Sequence, residues 1–120
     1  LMVRREVLDQ VGLLDEDFFM YCEDTDWCYR MERRGWKKYY LPEAEVIHVI
    51  GGSSDLRVPA MVIAHHQSMC RFYFKHYFFG WRAILMPAML GGIWLRCLLA
   101  LLRYYAWRWR VSLWSFLSRG

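Results

Sequence analysis

Val11-Gly12-Leu13-Leu14-Asp15-Glu16-Asp17-Phe18-Phe19-Met20-Tyr21-Cys22-Glu23-Asp24-Thr25-Asp26-Trp27-Cys28-Tyr29-Arg30 is the stretch that decides how this 120-residue chain is read. Leu13 to Tyr21 is a loop with large apolar anchors. It delivers the chain to Glu23-Asp24-Thr25-Asp26, where three acids crowd the start of a helix expected from about Asp24 to Arg34. Trp27 and Met31, with Cys28 and Arg34, share a face at helical spacing, and Arg33-Arg34-Gly35 closes the element. Acids at its start and arginines at its end match the helix dipole. The local reading of the acids is capping, with Glu23 or Asp24 satisfying free N–H groups and Asp26 pairing with Arg30 at i+4. The chemical reading is that one of them is a general base, held within reach of an acceptor hydroxyl and shielded by neighbours such as Phe19 and Trp27. Repulsion among the acids raises a pKa while the helix N-terminus lowers it, so the residues alone leave both readings open.

Upstream, Val3 to Val11 reads as a short helix, with Val7, Leu8 and Val11 on one face and Gly12 just past its end. Downstream, Lys37 to Leu41 and Glu45 to Ile50 are short β-type runs around Pro42, and Gly51-Gly52-Ser53-Ser54 breaks the second. From about Pro59 to Phe79 the pattern is helical and amphipathic, bringing Met61, His65, Ser68, Phe72 and His76 near one another. On that helix Arg71 and Lys75 are like charges at i,i+4, a pair that favours an anionic partner, and the plainer role is packing with a solvated basic edge. Ala83 to Leu102 carries one charge, Arg96, and is long enough to cross about 30 Å of hydrocarbon if wholly helical, although Pro87 and Gly91-Gly92 weaken that reading. Arg103 to Arg119 interleaves arginine with Tyr104, Tyr105, Trp107, Trp109, Trp114 and Phe116, which suits an interfacial helix.

Composition narrows the class. Hydrophobic residues make up 57%, aromatic ones 18% and charged ones 23%, so the chain is no disordered tail and part of it is expected to meet lipid. Net charge is +4, yet from Leu56 to Gly120 there is no Asp or Glu. A basic, aromatic half without acids fits an anionic membrane surface, whereas nucleic-acid binding is disfavoured because the apolar residues run in blocks instead of flanking a polar groove. Cys22, Cys28, Cys70 and Cys97 form no CxxC pair, which argues against a zinc site or a disulfide framework. The chain opens on Leu1, not Met, and is read as a piece of something longer.

Met2-Val3-Arg4-Arg5-Glu6-Val7, the Val11 to Arg30 stretch, Gly35-Trp36, Tyr40-Leu41-Pro42-Glu43-Ala44, Val46-Ile47-His48 and Gly51-Gly52-Ser53-Ser54 resemble, in order and spacing, the C-terminal half of family 2 glycosyltransferases of the rhamnosyltransferase type. The resemblance is close over about the first 55 residues and loose as far as Tyr77. It implies an α/β architecture, the C-terminal portion of a GT-A (Rossmann-like) fold without the sugar-nucleotide-binding half, followed by amphipathic and apolar helices. The expected divisions are 1–58 for the acceptor and catalytic-base part, 59–80 for the basic helix and 81–120 for membrane-associating helices. The implied reaction is an inverting sugar transfer from a nucleotide-diphosphate donor to a glycan or lipid-linked acceptor. Asp24 would be the base and Glu23 and Asp26 supporting acids that orient the acceptor or the helix, and this piece alone is expected to be inactive.

The same resemblance makes His48 a ligand for Mn²⁺ or Mg²⁺, shared with an Asp-x-Asp motif upstream of Leu1 that Asp24-Thr25-Asp26 only imitates. It places Gly51, Gly52, Ser53 and Ser54 in a loop near diphosphate and acceptor, where backbone amides and hydroxyls contact anionic oxygens. Arg71 belongs to the basic helix that follows, where Gln67 stands in place of a common Arg. Location at the cytoplasmic face of a bacterial inner membrane, peripheral or single-span, completes the expectation. The competing class is a membrane-anchored binding or scaffold module without catalysis.

Overall fold

Four helices carry the chain in the computed structural model, which describes residues 1–47 and 58–117: α1 (Arg5–Val11), α2 (Glu23–Arg33), α3 (Val58–Tyr77) and α4 (Arg82–Leu117). α1 stops where Gly12 takes φ 80°, a conformation cheap only for glycine, and the Gly12 N–H donates back to the Leu8 carbonyl. The basic end of α2 then holds the free carbonyls at the end of α1. Arg30 donates to Val11 O and Leu13 O, both at 2.7 Å, Arg34 donates to Gln10 O, and the Trp27 indole donates to Gly12 O at 2.9 Å. Two short helices are thereby locked together by Trp27, Arg30 and Arg34, at i, i+3 and i+7, the last of them capping α2.

α3 and α4 form an antiparallel hairpin through the turn at Gly80. Met86, Ile93 and Cys97 turn inward from α4 at helical spacing and are buried, and the Arg82 guanidinium lies over the Tyr77 ring at the hairpin end. α3 also reaches the α1–α2 pair. Tyr29 of α2 meets Phe72 edge-on at 5.7 Å and His76 at 4.3 Å between ring centroids, and the Lys75 ammonium sits 5.6 Å over the Phe18 ring. Phe18, Val7 and Met31 are buried at the α1–α2 end of the molecule.

The α/β expectation is corrected here. Helices are the regular structure of the described residues, with no strand among them; Lys37–Leu41 is irregular, and so is the run from Glu45 as far as Ile47. A β-type run becomes a strand only beside another strand that pairs its N–H and C=O groups, and no described segment offers that edge. Tyr39, Tyr40, Leu41, Val46 and Ile47 consequently stand exposed, where a strand in a covered sheet would bury alternate residues. A second correction concerns the tail. The two expected elements, Ala83–Leu102 and Arg103–Arg119, are one continuous helix through Leu117, 36 residues long. Pro87 lies only one turn in from the start, so it removes a single intrahelical bond near an end that already lacks partners.

Candidate active site

The acidic start of α2 is built by an abrupt turn. Tyr21 and Cys22 both take positive φ, 67° and 64°, and neither is glycine, so the backbone holds about 1–3 kcal/mol of strain at each. Contacts on both sides hold it: the Ser68 hydroxyl of α3 donates to Met20 O at 2.8 Å, the Tyr21 ring stacks on His65 at 5.0 Å, and the Asp26 N–H donates to Cys22 O at 2.8 Å. Strained non-glycine backbone immediately before a reactive-type residue is a recurring feature of functional sites.

That turn gives the three acids three different fates. Asp24 is exposed, its Oδ1 accepting from the Thr25 N–H at 2.7 Å and from the Thr25 hydroxyl at 3.3 Å. Its other oxygen has no partner among the described residues and is open to a donor from outside. Glu23 turns partly inward, and its Oε2 is enclosed with no hydrogen-bond partner among the described residues. Asp26 is 0% exposed. It accepts from Arg30 Nε at 2.7 Å through Oδ2, and from His76 Nε2 at 2.6 Å and Lys75 Nζ at 2.8 Å through Oδ1. Burial, the largest single influence, pushes the Asp26 carboxyl up, but hydrogen bonds from Lys75, His76 and Arg30 together bring it below the ordinary value of 3.8. It is therefore ionised at neutral pH and His76 Nε2 carries the donated hydrogen. The i,i+4 pair with Arg30 foreseen from the sequence is present, and two donors from α3 add to it.

Lys75 also donates to Asp15 at 2.6 Å, and Arg71 pairs with Asp17 at 3.2 Å and donates to its backbone carbonyl. The anionic partner that the Arg71/Lys75 face calls for is thus, in this chain, the acidic loop before α2. Arg71 and Gln67 border a cleft of about 460 Å³ with Asp17, Phe19 and Ser68. The thiol of Cys22, beside Asp24, is pushed up first by burial and then by the Asp24 and Glu23 carboxylates, so it is no nucleophile at neutral pH. His48, Gly51, Gly52, Ser53 and Ser54 lie outside the described residues. No group of three or more His, Cys, Asp or Glu that could hold a metal ion occurs among the described residues, so those residues by themselves make no metal centre.

Sequence reasoning did not foresee the strained backbone at Tyr21, the contact of His76 with Asp26, or the bonds from Arg30 to the Val11 and Leu13 carbonyls. The available signal was the helical register of α3: Ser68, Arg71, Phe72, Lys75 and His76 recur at i+3/i+4 steps, and every one of them touches the segment from Asp15 to Tyr29.

An exposed carboxylate at a strained helix start, locked by a basic helix to an apolar hairpin, defines a carboxylate-centred site with one of its sides open. Residues 1–70, more than half of the chain, match the family described as glycosyltransferase like family 2, and the chain belongs to that family. It is 38% identical over 96 residues to the N-acetylglucosaminyl-diphospho-decaprenol L-rhamnosyltransferase of Mycobacterium tuberculosis, a match covering 80% of this chain and 31% of that protein. To the dTDP-rhamnosyl transferase RfbF of Shigella flexneri it is 33% identical over 60% of this chain and 24% of the relative, and to the rhamnosyltransferase WbbL of Escherichia coli 38% over 40% and 18%. The chain spans under a third of the length of these curated relatives. No solved structure matches it.

Proposed function

We propose that the polypeptide carrying this chain transfers a rhamnosyl-type sugar from a nucleotide-diphosphate donor to a lipid-linked glycan, with inversion, and that Asp24 is its general base. The observation that carries this reading is the divergence of the three acids: Asp24 alone faces outward with a free carboxylate oxygen, whereas Asp26 is enclosed by three donors. Family membership and rhamnosyltransferase relatives support the reaction class.

In this reading Asp24 accepts the proton of the acceptor hydroxyl as that oxygen bonds to the anomeric carbon, the bond from that carbon to the diphosphate breaks, and the nucleoside diphosphate leaves with the electron pair. Thr25 orients the carboxylate through its N–H and hydroxyl. Glu23, with its enclosed unpaired oxygen, supports the acceptor side, and Asp26 fixes the helix. Gly51, Gly52, Ser53, Ser54 and Arg71 contribute contacts to anionic oxygens. His48 would be one donor to a Mn²⁺ or Mg²⁺ ion that neutralises the departing diphosphate when bound.

α4 is, among the described residues, the one helix long and apolar enough to cross a membrane. We place it in the interface at the cytoplasmic face of a bacterial inner membrane. A span through its first half would carry α3 with it, including Arg71, Lys75 and His76 and the acids they hold, into hydrocarbon.

The test is Asp24→Asn in the full-length polypeptide, with rhamnose transfer from dTDP-rhamnose to a lipid-diphosphate N-acetylglucosamine followed as product. Base catalysis is worth about 10²–10⁴-fold, so turnover should fall by that factor while thermal stability and donor binding persist. Turnover within a few-fold of the parent would remove Asp24 from the role.

A further inference from the structure

Ser68 is a buried polar side chain that serves a distant segment and not its own helix. A serine inside a helix commonly turns its hydroxyl back to the carbonyl one turn earlier. Ser68, 6% exposed in α3, instead donates at 2.8 Å to Met20 O, 48 residues away in the loop that leads to α2. That carbonyl belongs to the peptide plane that enters Tyr21, the first of two consecutive non-glycine residues at positive φ.

On the other side of the same N–Cα bond the Tyr21 ring stacks on His65, which lies one turn before Ser68 in α3. Ser68 thus fixes the plane before the bond and His65 the side chain after it, and together they define the 67° torsion. Cys22, at 64°, is tied from α2, because its carbonyl accepts the Asp26 N–H at 2.8 Å. A left-handed torsion in a residue with a Cβ persists only where its surroundings over-determine it, and here α3 constrains the turn from one side and α2 from the other. Asp24 follows two residues later. It is exposed, and its hydrogen bonds run to the adjacent Thr25, so the turn sets where its carboxylate faces.

We propose that Ser68 is a positioning residue for sugar transfer: by clamping the Met20 carbonyl it holds the Tyr21–Cys22 turn in its left-handed form and so aims Asp24 at the acceptor hydroxyl, with His65 as the second clamp. This deepens the transferase reading, on which it rests for the role of Asp24. Ser68 touches no substrate in this scheme, since its hydroxyl is enclosed and already donating to backbone. Relaxation of either torsion to negative φ re-routes the chain at the start of α2 and swings Asp24 away, and a misplacement of about 1 Å at a reacting group costs about 100-fold in rate.

The experiment uses the full-length polypeptide with dTDP-rhamnose and a lipid-diphosphate N-acetylglucosamine. Ser68→Ala should lower kcat by about 10- to 100-fold while the KM for the donor stays within about 2-fold of the parent. His65→Ala, which loosens the same torsion from its other side, should act in the same direction and serves if Ser68→Ala folds poorly. In an Asp24→Asn background, Ser68→Ala should lower the residual rate by less than about 2-fold, because a residue that acts through the base has nothing left to position. A loss by the same factor in both backgrounds marks a merely structural role and overturns the proposal, as does an unchanged kcat in Ser68→Ala. The turn itself is read without turnover through Cys22, whose thiol is half-buried, as are those of Cys28 and Cys70. Iodoacetamide labelling followed by peptide mass spectrometry should find Cys22 about 5-fold faster in Ser68→Ala, with Cys28 and Cys70 unchanged. Equal Cys22 rates in parent and variant overturn the clamp even if the enzyme needs Asp24. Faster Cys22 labelling in a protein whose Asp24→Asn variant keeps full turnover refutes Asp24 as the base, and with it the positioning role, while leaving Ser68 as what holds the turn.

Discussion

Asp24 and Asp26 are two residues apart and chemically identical, and the structure treats them as opposites. One is a solvent-facing carboxylate, the other the hub of Arg30, Lys75 and His76. Removing the hub's charge leaves those donors around a buried neutral group, so Asp26→Asn is expected to cost about 3–5 kcal/mol, read as a lowered melting temperature. Asp24→Asn should leave melting unchanged. The pH dependence follows from the same cluster. Asp15, held down chiefly by its hydrogen bond from Lys75, and Asp26 both titrate below 3.8 when folded. Their ionised forms thus stabilise the fold in full above the unfolded value, and that contribution is lost as pH falls below about 4 through the folded values. Melting followed by circular dichroism should show this acid decline in the parent and a shallower one in Asp26→Asn. An equally steep decline in the variant would show that the cluster is not its source. The i,i+4 relation of Asp26 to Arg30 was legible in the sequence because helix geometry sets it. The two donors from α3 were not, because they lie 49 and 50 residues away and only tertiary packing brings them in.

Among the elements, α1, α2 and α3 appear within a residue or two of their sequence-based bounds, since each has a clear face and a clear stop: Gly12, Gly35 and Gly80 all take positive φ. α4 was expected as two pieces, Ala83–Leu102 and Arg103–Arg119, because the apolar run gives way there to alternating arginines and aromatics, and Gly91-Gly92 was read as weakening a span within the first. A Cβ at either position would meet nothing within 4 Å, so these glycines serve no close packing and simply lower helix propensity. Gly91→Ala and Gly92→Ala should each add about 0.5–1 kcal/mol of helix stability, measurable as a rise in melting temperature without loss of sugar transfer. A fall in melting temperature would mean that a neighbour approaches this face in the full-length protein.

The whole molecule is extended, with a radius of gyration of 19.3 Å against about 14 Å for a compact domain of this length. α3 is about 30 Å long and α4 about 54 Å, so the hairpin covers only the first part of α4 and the arginine- and tryptophan-bearing remainder projects alone. The exposed Leu, Trp and Tyr of α4, with its arginines, should hold the full-length protein on membranes through apolar burial and charge together. High salt screens the charge and not the burial, so a salt wash should leave the protein in the membrane fraction and detergent should release it. Complete release by salt would reduce the anchor to electrostatics. By itself the sequence determined the helices, the acidic start of α2 and the acid-free basic tail, because these depend on local spacing, caps and composition. Only the tertiary structure decided that Lys37–Leu41 stays irregular, that Asp26 is enclosed while Asp24 is free, and that Ser68 meets the turn before Asp24. Those outcomes depend on which distant surfaces meet, and no local pattern encodes a partner strand, a buried counter-ion or a hydroxyl from a distant helix.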